Sequence, residues 1–166
     1  MAKTNDMASV IDKLKALCSR REYCSSDIYK KALTYLDGNR DEASQVLKRL
    51  QDEKYVDDRR FSCAYARDKA SISGWGSNKI RYMLSAKGVA RDVIDEALAE
   101  VDGDSSGKRF EKLMLNKYTS LKKDENVRLK LLRFAMGRGY GYEEASALID
   151  RIIRTDRENE DPHADC

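Results

Sequence analysis

Few residues of this sequence have the types and spacing that catalysis or metal binding would need. The single histidine, His163, lies in a polar segment at the C-terminus, and no two cysteines form a Cys-x-x-Cys pair. Zinc sites usually need such close ligand spacing. The four cysteines are Cys18, Cys24, Cys63 and Cys166. They are better explained as small apolar side chains in a reducing compartment.

Two other patterns have simpler explanations than catalysis. Asp57 and Asp58 could be paired catalytic carboxylates, but acidic residues just before an apolar helical pattern are typical of a helix N-terminus. The stretch Gly137-Arg-Gly-Tyr-Gly141 could suggest a phosphate-binding loop, but no predicted strand precedes it, so a turn between two helices is favoured. The sequence therefore predicts a protein that is not an enzyme and that binds no metal or cofactor.

Positive charge is the stronger functional signal. The net charge is +3, although residues 155–166 alone contribute −4. Eight Lys and Arg residues stand against one acidic residue in the interval 59–91, and ten stand against three in the interval 108–138. Such blocks are often only solvated helix faces, but their local excess indicates an anionic partner.

Trp75 is the aromatic residue of the first basic block. It lies between Gly74 and Gly76, directly before a basic helical pattern. The indole could stack on a partner surface or on a nucleic-acid base. Packing onto the core of its own helical unit is the more common role of an aromatic residue at a helix entry.

The elements that would carry these residues are amphipathic helices. Apolar residues recur with helical spacing through most of the chain, which has one proline and nine glycines. Gly38, Gly88 and Gly139 each separate two such patterns, and they recur at intervals of about 50 residues. Glycine at these positions indicates a left-handed helix end. The spacing predicts three tandem repeats of three helices each.

The predicted domain organisation follows these repeats. The first repeat, with an N-terminal extension, covers residues 1–54, the second covers 55–101 and the third covers 108–154. Residues 102–107 are rich in Gly and Ser, which is typical of a flexible linker, and residues 155–166 are predicted to be an acidic disordered tail. We expect an all-α protein whose stacked repeats form an elongated array.

The central part of the sequence resembles the RecX family of regulatory proteins. The matching residues are Lys54-Tyr-Val-Asp-Asp-Arg-Arg-Phe61, Ala64-Tyr65, Gly74-Trp-Gly76, Lys79-Ile80, Leu84 and Lys87-Gly-Val89. The resemblance is specific over about 35 residues and looser in the first and third repeats. Two positions depart from the family pattern, because Lys54 stands where glycine is frequent and Ser62 where alanine is usual.

This resemblance implies a curved, elongated molecule that lies in the groove of a RecA filament on DNA. It implies inhibition of the recombinase, ATPase and co-protease functions of RecA, by blocking filament growth or by promoting disassembly. The implied partners are the RecA filament and single- or double-stranded DNA, bound directly or within the filament by a monomer. The implied setting is DNA repair, recombination and the SOS response.

The candidate contact residues come from two sources. The family motif supplies Arg60, Trp75, Lys79 and Lys87, and the charge argument adds Arg67, Lys69 and Arg81. Either RecA or DNA could be their direct partner. Two other classes stay open, because a general DNA-binding helical module would use the same basic faces and a helical-repeat scaffold for another protein would use the same repeats.

The predicted location is the cytoplasm. The longest apolar runs are too short for a membrane span, and residues 1–9 are too polar to begin a signal peptide.

Overall fold

The computed structural model describes residues 6–160, which form nine helices and no strand. The helices are α1 (Met7–Cys18), α2 (Ser25–Tyr35), α3 (Arg40–Asp52), α4 (Asp58–Ser71), α5 (Ser77–Ala86), α6 (Arg91–Ala99), α7 (Gly103–Leu121), α8 (Val127–Gly137) and α9 (Tyr142–Glu160). The all-α prediction is confirmed. We call α1–α3 the first repeat, α4–α6 the second and α7–α9 the third.

The nine helices are divided between two compact units. Among the described residues, unit 1 contains 6–66 and 83–100, and unit 2 contains 67–82 and 101–160. The division passes through α4 and α5, and so it does not follow the predicted boundaries of the second repeat at 55–101. Those boundaries stay a prediction.

The first repeat forms one apolar core within unit 1. Its helical spacing places apolar residues of each helix on a single face, as a packed three-helix unit requires. The buried core residues are Val10, Ile11 and Leu14 of α1, Ile28 and Ala32 of α2, and Ala43, Val46 and Leu50 of α3. Two of these helices are capped by the residue directly before them, because Asp6 accepts from the Ser9 N–H at 2.7 Å and Asn39 accepts from the Glu42 N–H at 3.2 Å.

The third repeat forms a second core within unit 2. Its buried residues are Phe110, Met114 and Tyr118 of α7, Leu131, Leu132 and Ala135 of α8, and Ala145, Leu148, Ile149 and Ile152 of α9. Tyr140, in the turn between α8 and α9, joins this core and stacks on Phe110 with ring centroids 3.5 Å apart. The turn is therefore anchored to α7 as well as to the two helices that it connects.

The three turns that end α2, α5 and α8 share one backbone conformation. Asp37, Gly88 and Gly139 have φ values of 52°, 77° and 93°, and they stand 51 residues apart. In each turn the N–H of the residue that follows donates to the carbonyl of the residue five positions earlier in the chain. These bonds join Gly38 to Leu33, Val89 to Leu84 and Tyr140 to Ala135, at 2.8, 3.2 and 3.2 Å. This pattern is a Schellman cap. The predicted left-handed helix ends are confirmed. In the first turn Asp37 has the position that Gly88 and Gly139 have in the other two.

The predicted flexible linker at residues 102–107 is wrong as a description of the backbone, because residues 103–107 form the first turns of α7. Asp102 is the N-cap, and its carboxylate accepts from the Asp104 N–H at 3.1 Å. Two acidic residues at a helix N-terminus favour the helix through its dipole. The glycines and serines of the segment obscured this capping signal.

The predicted disordered tail is also wrong for residues 155–160, which continue α9. Lys122 forms ion pairs with Asp156 at 2.9 Å and with Glu160 at 2.6 Å, and the Tyr118 hydroxyl donates to Asp156 at 2.8 Å. The hydrogen bond from Lys122, followed by that from Tyr118, lowers the pKa of Asp156. The acidic residues thus extend the helix by neutralising a lysine just after α7. Residues 161–166 lie outside the described part of the chain, as do residues 1–5.

We predict that Gly107→Ala raises the free energy of unfolding by about 0.5–1 kcal/mol, because alanine favours a helix interior over glycine by that amount. A Cβ at Gly107 meets no atom within 4 Å. Urea denaturation of the two proteins measures the difference. Gly38→Ala is the matched control and should destabilise, because φ at Gly38 is +87°. No gain from Gly107→Ala would indicate that residues 103–107 are not a stable helix in solution.

Ser62 is a buried polar residue without a hydrogen-bond partner for its hydroxyl among the described residues. A buried hydroxyl that has lost its hydrogen bonds to water costs about 1–3 kcal/mol. We therefore predict that Ser62→Ala raises the free energy of unfolding by about 1 kcal/mol. Thermal unfolding of the variant beside Ser71→Ala, in which the hydroxyl lost is bonded to the Arg67 carbonyl at 2.7 Å, tests this. A stability of Ser62→Ala equal to or lower than that of the unmodified protein would contradict the prediction.

Candidate functional site

The backbone of the Trp75 loop, residues 72–76 between α4 and α5, is hydrogen-bonded at every residue within unit 2. Side chains of the third repeat and its turn donate to three successive carbonyls: Arg109 to Ile72 at 3.1 Å, Arg138 to Ser73 at 2.6 Å and the Tyr140 hydroxyl to Gly74 at 3.2 Å. The Trp75 N–H donates to the Lys69 carbonyl at 2.9 Å, and the Gly76 N–H donates to the Arg138 carbonyl at 2.8 Å. The loop therefore has little freedom to move by itself.

Glycines allow the loop to approach the α8–α9 turn this closely. A Cβ on Gly76 would overlap the carbonyl group of Gly139, and a Cβ on Gly139 would overlap the backbone of Lys79. Gly74 has a φ of +65°, and a Cβ there would overlap the side chain of Leu113. Gly76 is thus required by its close approach to the Gly139 backbone, and Gly74 by its left-handed backbone conformation.

Two of the candidate lysines lie against the indole ring of Trp75. The Lys69 Nζ is 4.7 Å and the Lys79 Nζ 4.4 Å from the ring centroid, within the range of cation–π attraction. Trp75 is half-buried. Part of its surface is therefore covered within the protein, and part stays exposed.

Arg60 and Lys87 belong to unit 1, where both are engaged within the protein. Arg60 donates to Glu22 at 2.6 Å and to the carbonyls of Lys54 and Tyr55 at 3.2 and 3.3 Å. Lys87 forms an ion pair with Asp27 at 2.8 Å, and both side chains are about 70% buried. The hydrogen bond to Asp27 raises the pKa of Lys87. These contacts join the second repeat to the first.

The junction between the first and second repeats and the contact of the Trp75 loop with the third repeat use equivalent carbonyls, one in each turn. Lys87 and Arg138 each precede the left-handed glycine of their turn, and their carbonyls accept from Ser26 Oγ at 2.6 Å and from the Gly76 N–H at 2.8 Å. In both cases the donor lies at the start of the second helix of the preceding repeat. Lys87 therefore has an architectural role that its charge alone did not indicate.

Asp57 and Asp58 both cap helices, as the sequence pattern predicts. Asp57 accepts from the Arg60 N–H at 3.0 Å at the start of α4. Asp58 instead accepts from the Ser25 N–H at 2.6 Å and so caps α2 of the first repeat. The second carboxylate therefore contributes to the same junction as Lys87.

The remaining candidates, Arg67 and Arg81, belong to unit 2. Arg67 is exposed on α4, and Arg81 is half-buried on α5 and has interactions of its own. Five of the seven sequence-predicted residues therefore lie at two separate places. The structure brings Lys69, Trp75 and Lys79 together, and it places Arg60 and Lys87 in the junction of unit 1.

The second basic block, 108–138, divides into paired and unpaired cations. Arg128 pairs with Asp150 at 2.9 Å, Lys122 pairs as described above, and Lys130 pairs with Asp124. Four exposed cations have no ion pair among the described residues: Lys108, Lys112, Lys123 and Arg133. These four leave unit 2 with uncompensated positive charge on its surface.

Sequence reasoning missed three residues of this site: Arg109, Arg138 and Tyr140. The sequence patterns place Arg109 and Arg138 in the basic block, and Arg138 and Tyr140 in a turn, without indicating a contact with Trp75. The available signal was the spacing of 51 residues, which aligns Arg138 with Lys87 of the family motif. Their hydrogen bonds to the Trp75 loop span 37 to 66 residues of sequence, so no local pattern could reveal them.

A groove of about 790 Å³ between the start of α8 and the end of α9 contains none of the seven candidates. Its lining includes Leu129 and Ile153, and its charged residues include the Arg128–Asp150 ion pair. Within residues 6–160, no group of three His, Cys, Asp or Glu side chains is placed to hold a metal ion. No helix of the described part is long and apolar enough to span a membrane.

The fold and the site define an all-helical protein of three-helix repeats with a basic surface around a glycine-flanked tryptophan. Comparison with protein families matches residues 57–98 to the second three-helix domain of RecX. The chain is 34% identical over 117 residues to the regulatory protein RecX of Clostridium botulinum and 32% identical over 116 residues to that of Clostridium tetani. Each alignment covers 68% of this chain, and 54% and 53% of the respective relative.

Solved structures agree on the fold. A crystal structure of regulatory protein RecX matches with a TM-score of 0.76 at 22% identity, covering 87% of this chain and 71% of that one. The crystal structure of RecX from Lactobacillus salivarius matches with a TM-score of 0.73 at 21% identity, covering 90% of this chain and 96% of that one. The chain belongs to the RecX family. It spans about half the length of the curated relatives that it matches.

The Asp27–Lys87 ion pair gives a pH-dependent prediction. Burial raises the pKa of Asp27, but the hydrogen bonds from Lys87 and Cys24 outweigh it and hold that pKa below its ordinary value of 3.8. Because the folded-state pKa is lowered, the carboxylate stabilises the fold above pH 3.8 and loses that effect as the pH falls below it. Asp27→Asn should therefore cost about 0.5–1 kcal/mol at pH 7, and the cost should decrease in acid.

Urea denaturation of both proteins at pH 7 and at about pH 3 measures this difference. Asp52→Asn is the matched control, because Asp52 pairs with Lys48 at 3.1 Å on a largely exposed surface, where an ion pair contributes little. A cost of Asp27→Asn that stays constant with pH would contradict the prediction.

Proposed function

We propose that this protein is a regulatory protein that binds the RecA filament on DNA. In this proposal it inhibits the recombinase, ATPase and co-protease functions of RecA by blocking filament growth or by promoting disassembly. It acts without catalysis of its own, in the cytoplasm, in DNA repair, recombination and the SOS response. The observation that carries the proposal is the family match over residues 57–98, which includes the whole Trp75 loop.

The charge of unit 2 supports an anionic partner. Lys69 and Lys79 lie beside Trp75, Arg67 is exposed on α4, and further exposed cations lie on α7 and α8. A filament wrapped on DNA presents phosphate groups together with protein surface. Lysine and arginine bind phosphate by charge, and an accessible tryptophan adds contact area at a small cost in side-chain entropy.

A general DNA-binding helical module is the second candidate function. The four exposed cations Lys108, Lys112, Lys123 and Arg133 favour it, because cations that form no ion pair among the described residues are available for phosphate contacts, which release counterions from DNA. The two candidate functions differ in whether the protein must contact RecA itself. Inhibition of RecA at near-stoichiometric ratios requires a contact with the filament, whereas simple DNA binding would inhibit only by competing for DNA sites.

We predict that the protein lowers the DNA-dependent ATP hydrolysis of RecA at or below stoichiometric ratios and hydrolyses no ATP by itself. The assay should use the recombinase of the same cell, and should be repeated with a several-fold excess of DNA. Inhibition that disappears when DNA is in excess would indicate competition for DNA and favour the second candidate. An unchanged rate with excess protein would contradict both.

The variant Arg67→Glu/Lys79→Glu maps this activity onto unit 2. Replacing the two cations should weaken inhibition and reduce its dependence on salt, because each lost phosphate contact lowers the salt slope by about one. Arg40→Glu is the control, since it changes the same kind of charge at the exposed start of α3. Equal inhibition by the folded double variant and the control would place the contact elsewhere.

A further inference from the structure

We propose that Arg138 and Tyr140 of the third repeat are positioning residues for the Trp75 loop, so that the binding motif of the second repeat is set in place by the repeat that follows it. The proposal deepens the proposed function, on which its binding arm rests. Neither residue needs to contact the partner.

The third repeat provides the side-chain hydrogen bonds to three successive loop carbonyls. Arg138 and Tyr140 side chains bind the carbonyls of Ser73 and Gly74, the two residues directly before Trp75. The backbone of the same turn accepts from the Gly76 N–H at 2.8 Å and, through Gly139, from the Asn78 N–H at 3.1 Å. The second repeat itself contributes bonds from the N–H groups of Ile72 at 2.9 Å, Ser73 at 3.4 Å and Trp75 at 2.9 Å, and the Gly76 carbonyl accepts from the Ile80 N–H at 3.2 Å. Peptide groups on both sides of Trp75 are thus fixed from the third repeat.

Arg138 and Tyr140 are themselves held rigidly. Tyr140 is buried and stacks on Phe110, and the Arg138 guanidinium lies 5.2 Å from the centroid of Phe134. Burial, the main cause, raises the pKa of Tyr140 to about 12, so the hydroxyl remains a donor at neutral pH. The donors are therefore in place before any partner binds.

The junction between the first and second repeats has a different composition. There the turn carbonyl of Lys87 accepts from a serine hydroxyl, and an ion pair between Lys87 and Asp27 replaces the bonds of Arg138 and Tyr140. No aromatic side chain stands between glycines at the start of α2. The close contact of Gly76 with the Gly139 backbone therefore occurs only at the junction whose loop contains Trp75. This difference is expected if the contact positions the Trp75 side chain.

A positioned tryptophan binds more tightly than a mobile one, because ordering a loop at the moment of binding costs free energy. The two cations beside the ring depend on the same geometry. Lys79 lies in the first turn of α5 next to Gly139, and the Lys69 carbonyl accepts from the Trp75 N–H. A shift of the loop would therefore change the ring and its two lysines together.

Trp75 is the only tryptophan of the chain, so its fluorescence reports on this loop alone. The test compares the full-length protein with Tyr140→Phe and Gly139→Ala in the absence of any partner. Acrylamide should quench Trp75 more readily in both variants, and most in Gly139→Ala. The matched controls are Tyr82→Phe, which removes a hydroxyl from an exposed ring, and Gly137→Ala, where a Cβ meets no atom within 4 Å. Unchanged quenching in Tyr140→Phe, compared with Tyr82→Phe, would overturn the proposal.

The binding arm uses RecA filaments assembled on single-stranded DNA. Tyr140→Phe should bind about three- to tenfold more weakly than the unmodified protein, as expected for the loss of one buried hydrogen bond. In a Trp75→Phe background the same change should have little further effect, because the residue acts through Trp75. An equal loss in both backgrounds would mean that Tyr140 acts by another route, which would overturn the proposal.

The quenching measurement and the binding measurement can fail independently of each other. Fluorescence of Trp75 responds to the loop whether or not the protein binds RecA. If the unmodified protein does not bind filaments, the proposed function fails, while the quenching result still decides whether Tyr140 and its turn position the loop. Gly139→Ala could also lose the folded state, but Tyr140→Phe removes a single oxygen and keeps the test available.

Discussion

The contact on which both junctions depend is a hydrogen bond to the carbonyl just before a left-handed turn residue. A Schellman turn points a carbonyl outward, and the start of a helix supplies the donor, as the Ser26 hydroxyl in one junction and as the Gly76 N–H in the other. In unit 1 the Lys87 carbonyl accepts from Ser26, and in unit 2 the Arg138 carbonyl accepts from Gly76. A repeat that ends its second helix in this turn therefore carries the acceptor for the repeat before it. The spacing of 51 residues follows from placing that acceptor at the same point in each repeat.

The sequence was sufficient to predict the helices and their turns, because both depend on local signals. Apolar spacing placed the cores of α1–α3 and α7–α9, and the glycines marked the turns. The start of α7 and the end of α9 could not be found in the same way. Asp102 outweighs a composition typical of linkers by capping a helix, and Asp156 and Glu160 gain their effect from Lys122, more than thirty residues earlier. Composition averages over a segment, whereas a single well-placed carboxylate decides whether that segment is helical.

The candidate site was predicted in part, for a related reason. A count of charges cannot separate a lysine that faces solvent from one that holds two helices together. Lys87 and Arg67 are equal in such a count, but Lys87 is paired with Asp27 whereas Arg67 is exposed. The contacts of Lys69 and Lys79 with Trp75 agree with the motif, since all three lie within 11 residues and are brought together by one loop. Arg138 and Tyr140 lay beyond any local pattern, because their partners are 65 and 66 residues away.

The pairing of charges also bears on how a basic protein can select one anionic partner. A surface of freely moving lysines attracts any polyanion, and its attraction decreases with salt. Cations whose positions are set by packing add geometry to charge, because Lys69 and Lys79 present their ammonium groups beside a ring whose position is defined. The selectivity of such a site then resides in the hydrogen bonds that define the ring position. In the proposed site those bonds include the ones that Arg138 and Tyr140 donate, so that under this proposal recognition by the second repeat depends on its junction with the third.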